Sequence, residues 1–129
     1  MPDEKLILII DDDPAFLEIF STKLSSVGFR VETAGGPEEG IEKAKALKPN
    51  LVLLDVNMPK MDGAQVLLKL QEDEETKNLK VVFLTSLGNP WEEAQSLSRK
   101  VSKEFGAAGY IKKTEDLEVI AEKVKAFIQ

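Results

Sequence analysis

The chain has 129 residues and neither cysteine nor histidine, which excludes disulfides, thiolate or imidazole metal sites, and any Ser-His or Cys-His catalytic pair. A formal net charge of −6 disfavours direct binding to nucleic acid or anionic membrane, since both rest on clustered Lys and Arg. No apolar run approaches the roughly 18 residues of a membrane span, and the start does not read as a signal peptide, so a soluble cytoplasmic domain spanning 1–129, without a separate output module, is expected.

In chain order, Leu6–Ile10 is a continuous apolar run ended by Asp11, Asp12 and Asp13, which predicts a strand buried on both faces. Asp13-Pro14 reads as the cap and first residue of a helix with Phe16, Leu17, Phe20, Leu24 and Val27 inward and Gly28 as its left-handed stop. An alternating edge strand follows at 29–33. Pro37 opens a helix with Ile41, Ala44 and Leu47 on one face, and Pro49 closes it.

A second buried strand at 51–54 ends at Asp55. After a turn at 58–63, a helix carries Val66, Leu67 and Leu70 inward, an acidic exposed stretch follows, and the strand 81–84 ends at Thr85. Asn89-Pro90-Trp91-Glu92 has the form of a capping box, with Ala94, Leu97, Val101 and Phe105 continuing an apolar face to Gly106. A strand at 108–111 and a helix from Thr114, with Leu117, Ile120, Val124 and Phe127 inward, complete the chain.

Five strands alternating with five helices predict an α/β fold, because parallel neighbours need right-handed helical crossovers that cover both faces of the sheet. Functional groups then gather at the carboxyl ends of the strands. Asp11 and Asp12, Asp55 and Thr85 end three strands, and Lys113 follows the fifth. Singly, each has an ordinary explanation: a strand-end Asp caps the next helix, a Thr satisfies backbone, a Lys is solvated. Asp13 takes the capping role.

Jointly they differ, because three clustered carboxylates repel one another and call for a cation. Oxygen ligands that are few in number favour Mg²⁺ over a calcium cage. Three carboxylates, one Mg²⁺ and one Lys sum to zero charge, so an incoming phosphoryl group meets no net repulsion. A carboxylate can then act as nucleophile and form an acyl phosphate.

Residues 6–13 (LILIIDDD), 51–63 (LVLLDVNMPKMDG), 81–86 (VVFLTS) and 106–113 (GAAGYIKK) resemble, in order and across nearly the whole chain, the receiver domain of two-component response regulators, of the chemotaxis-regulator kind. The resemblance implies a flavodoxin-like fold with a five-stranded parallel sheet in the order 2-1-3-4-5, two helices on one face and three on the other. It implies Asp55 as phosphoacceptor, Asp12 as a direct Mg²⁺ ligand, Asp11 as a ligand through water, and the backbone carbonyl of Asn57 as a further ligand. Lys113 would pair with the phosphoryl oxygens, Thr85 would hydrogen-bond one of them, and Tyr110 would be the switch aromatic that follows Thr85. The donor would be a phosphohistidine on a sensor histidine kinase or phosphotransfer protein, necessarily another molecule, and the output an unidentified protein target.

The sequence departs from the family pattern at Thr114, where a proline usually follows the lysine, at the apolar Leu87, and in a segment between Thr85 and Gly106 that is longer than usual. An unphosphorylated receiver-like interaction module is the alternative, and the intact set Asp11, Asp12, Asp55, Thr85 and Lys113 argues against it. A small phosphatase lacks an obvious substrate cap, and a flavodoxin-like carrier lacks the phosphate-cradling loop after the first strand.

Overall fold

Every residue of LILII, LVLLD and VVFLT is buried, as strands covered on both faces must be. In the computed structural model, which describes residues 4–56, 58, 61–86 and 107–128, they form β1 (Leu6–Ile10), β3 (Leu51–Asp55) and β4 (Val81–Thr85). With β2 (Arg30–Ala34) and β5 (Ala107–Lys112) they make one parallel sheet in the order β2-β1-β3-β4-β5. β2 is an edge, as its half-exposed pattern implies, and starts one residue later than the expected 29–33.

The period of two along each strand divides the core into two layers. Leu8, Ile10, Val52, Leu54 and Phe83 meet α2 (Pro37–Leu47) and α3 (Gly63–Glu72) through Ala44, Val66, Leu67 and Leu70. On the other face, Ile7, Ile9, Leu51, Leu53, Val82, Leu84 and Ile111 meet α1 (Pro14–Ser26) and α4 (Leu117–Ile128) through Phe20, Leu24, Ile120 and Val124. The described residues thus hold four helices and not five; the helix expected at 89–105, with Trp91, lies outside them.

The helix ends follow their local chemistry. Asp13 caps α1 by accepting from the amides of Ala15 and Phe16. Gly28, at φ 105°, closes α1 in a Schellman arrangement in which Phe29 N–H reaches Leu24 O and Gly28 N–H reaches Ser25 O. α2 ends at Lys48 in the left-handed region, ahead of Pro49. Leu47, expected inward, is 37% exposed; it is the last residue of α2, directly before the left-handed stop at Lys48.

α4 begins at Leu117 and not at Thr114. Asp116 accepts the Glu118 amide on its side chain and the Ile120 amide on its carbonyl, so it caps the helix, and residues 113–115 form a turn instead.

Candidate functional site

Sheet register brings the sequence-distant residues together. Ile10 lies opposite Leu54, Asp55 opposite Leu84, and Thr85 opposite Lys112, so β1, β3, β4 and β5 end nearly level. The pairing continues one residue past the strands: Val56 N–H donates to Leu84 O (3.0 Å) and Lys113 N–H to Thr85 O (2.7 Å). Asp11, Asp55, Thr85 and Lys113, spread over a hundred positions of sequence, therefore share one rim of the sheet.

Burial is graded across that rim. Asp11 is fully buried, Asp55 is 5% exposed and Thr85 1%, while Asp12 is exposed. One carboxylate oxygen from each of Asp11, Asp12 and Asp55 lies within 4.8 Å of the others. Lys113 Nζ stands 2.7 Å from Asp11 Oδ2 and 3.9 Å from Asp55 Oδ1. Three negative charges and one positive charge leave two negative charges in this cluster.

The two oxygens of Asp11 do different things. Oδ1 accepts the Asp13 amide at 2.9 Å, which ties the acid to the start of α1. Oδ2 is buried and accepts no hydrogen bond; its 2.7 Å approach to the Lys113 ammonium is an ion pair off the hydrogen-bonding direction. The Lys113 ammonium is thus the cation that offsets the burial of this anionic oxygen, while the charge of the other two acids is left unbalanced. The donor set, all carboxylate oxygen with two unbalanced negative charges, fits a hard divalent ion.

Two residues have roles at the site that the sequence does not signal. Gly63 donates to Val56 O at 2.8 Å, and a Cβ there would fall 2.8 Å from Asp55 O and 3.0 Å from Val56 Cα, so only glycine lets α3 start directly behind Asp55. The Asp62 to Gln65 capping box, legible as D-x-x-Q, sets that helix start. Phe16 is the second: its ring centroid lies 4.2 Å from Lys113 Nζ, a cross-sheet contact for which the sequence carries no signal.

Tyr110 is half-buried on β5, packs against the core layer of α2 and α3, and lines a surface pocket with Lys112, Glu115, Lys123 and Phe127. Asn57, expected to offer its carbonyl, lies outside the described residues. The peptide between Lys113 and Thr114 is trans.

An open parallel α/β sheet with an aspartate cluster and a lysine at the carboxyl ends of its strands defines a class of signalling domain. Residues 7–125 match the family model described as the response regulator receiver domain, and the chain belongs to that family. Such domains are signalling switches of two-component systems and typically hold Mg²⁺ at an aspartate cluster.

Among its relatives, the DNA-binding dual master transcriptional regulator RpaA of Synechocystis sp. is 36% identical over 95% of this chain, which spans only 48% of that regulator's length. The chemotaxis protein CheY of Treponema pallidum is 34% identical over 95% of this chain and 82% of its own length. A CheY-like receiver domain protein from Methanospirillum hungatei superposes with a TM-score of 0.82 at 29% identity, covering 98% of this chain and 94% of that one. Among the described residues, no helix is long and apolar enough to cross a membrane.

Proposed function

We propose that this receiver domain is switched by transfer of a phosphoryl group to Asp55, with Mg²⁺ held by Asp11, Asp12, Asp55 and the carbonyl of Asn57. The observation that carries the reading is the convergence of three strand-end carboxylates within 4.8 Å beside the Lys113 ammonium. When bound, the metal neutralises phosphoryl oxygens and offsets the charge of the acids.

The chain's own residues do the rest. Asp55, almost buried yet at the open end of β3, offers a carboxylate oxygen to phosphorus. A phosphorus–oxygen bond forms as the phosphorus–nitrogen bond of a phosphohistidine breaks, and the electron pair leaves with the imidazole. Lys113, already 3.9 Å from Asp55, follows the new negative charge onto a phosphoryl oxygen. The Thr85 hydroxyl donates to another, and the Thr85 carbonyl keeps the Lys113 backbone in place.

The donor in this reading is a histidine kinase or phosphotransfer protein, the partner class of receiver domains, and its phosphohistidine lies outside this sequence, which has no histidine. Tyr110, on the edge strand next to β4, is the residue whose packing answers to Thr85, and the output is a changed surface for a protein partner. Incubation with acetyl phosphate tests the reading: intact mass is expected to rise by one phosphoryl group with Mg²⁺ and not in EDTA. An unphosphorylated protein under saturating Mg²⁺ would overturn it.

A further inference from the structure

Lys113 is held by three groups, and only two of them are anions. Its ammonium lies 2.7 Å from Asp11 Oδ2, 3.9 Å from Asp55 Oδ1 and 4.2 Å from the centre of the Phe16 ring, and its side chain is only 14% exposed. A divalent ion bound by the acids brings like charge beside the ammonium and weakens the hold of both carboxylates on it. The ring face is the one of these three attractors that a metal does not take up. A lysine stem has four rotatable carbons, so an ammonium without a fixed neighbour spreads over many positions.

Phe16 is itself fixed relative to the acids. Asp11 Oδ1 accepts the Asp13 amide, and Asp13 Oδ1 accepts the amides of Ala15 at 3.0 Å and Phe16 at 3.4 Å. One chain of hydrogen bonds thus runs from the acid cluster to the backbone that carries the ring. The ring also rests against the buried Phe20, with centroids 3.9 Å apart and planes at 36°.

From this arrangement we propose that Phe16 is a positioning residue, whose aromatic face holds the Lys113 ammonium over the acid cluster when the metal is bound. The proposal rests on the reading of Lys113 as a partner of the transferred phosphoryl group. Plain core packing would be served equally by leucine or methionine; a cation at a ring face depends on the electron density of the ring.

The test replaces Phe16 by mono-, di- and trifluorinated phenylalanine, which keep the shape and progressively weaken the ring face, alongside Phe16→Leu and Phe16→Tyr. At saturating Mg²⁺ the labelling rate with acetyl phosphate should fall stepwise with fluorination, by roughly five- to tenfold at trifluorination or in Phe16→Leu, and recover in Phe16→Tyr. Mg²⁺ affinity should not weaken, since Lys113 shares Asp11 with the metal. The Lys113 ε-methylene protons should lose their ring-current shift in Phe16→Leu. Wild-type labelling rates in both Phe16→Leu and the trifluorinated protein would overturn the proposal. If the wild-type protein is not labelled at all, the proposed function fails, and the Lys113 shift decides the role of Phe16 alone: an unchanged shift in Phe16→Leu overturns it.

Discussion

Replacing Asp12 by asparagine removes one of three clustered negative charges without changing the size of the side chain. At 4.8 Å, each repulsion that Asp12 feels from Asp11 and Asp55 is roughly 3.5 kcal/mol at an effective dielectric near 20 and about 0.9 kcal/mol in water. Asp12 is exposed, so the lower figure is nearer the truth. Lys113, paired with Asp11, also attracts Asp12 from across the cluster, and losing that attraction offsets at most one of the two repulsions. The net expectation is that the metal-free protein gains about 1 kcal/mol, or about 4 °C in melting temperature for a domain of this size. Separations this short lie inside the Debye length of about 10 Å at 0.1 M salt, so the effect persists in ordinary buffers. Thermal unfolding in EDTA and again with Mg²⁺ reads both halves: Asp12→Asn should melt higher without metal and lose the stabilisation Mg²⁺ confers on the wild type. A variant that melts lower than wild type in EDTA would refute the crowding of the three carboxylates.

Gly63→Ala should lower stability by about 1 to 3 kcal/mol and weaken Mg²⁺ binding, because its Cβ meets backbone at Asp55 and Val56; denaturant unfolding and a metal titration check both. Gly109→Ala, whose Cβ meets only the outer edge of the Phe127 ring, should cost less and leave Mg²⁺ affinity unchanged. Asp62→Ala should lose about 1 kcal/mol by removing the capping box of α3, measured in the same unfolding series. The Lys45 ammonium, 2.8 Å away, and the Glu75 amide hold the Asp73 carboxyl below the ordinary aspartate range. A depressed carboxyl contributes stability above its unfolded pKa that is lost as pH falls through the folded one, so carbon NMR should find Asp73 titrating low in wild type and moving up in Lys45→Met.

Much of this architecture was legible because its signals are local. The apolar runs ending in Asp11, Asp55 and Thr85 needed no tertiary information to be read as buried strands, and Asp13-Pro14 and Gly28 marked both ends of α1. The clustering of the strand-end acids followed from the parallel topology, which leaves carboxyl ends of strands on one side. What escaped depended on competition or on distance. Thr114 offers a hydroxyl where a helix start is expected, but Asp116, two residues on, is the better cap and wins. Leu47 fits the apolar face of α2 in spacing but is the last residue of the helix, beside its left-handed stop, and is exposed there. Gly63 is needed only because the turn returns against Asp55, and the contact of Phe16 with Lys113 joins residues that no periodicity links. The pairing of Lys113 with Asp11, and not with Asp55 alone, likewise depends on side-chain reach across the ends of β4 and β3.

The central claim is that Asp55 is the nucleophile. Its most direct test is to treat the protein with acetyl phosphate and Mg²⁺, reduce the acyl phosphate with borohydride, and map the reduced residue by tandem mass spectrometry. The account predicts a single reduced site at Asp55, absent without Mg²⁺ and absent in Asp55→Asn. Reduction at Asp11 or Asp12, or equal labelling of Asp55→Asn, would contradict it.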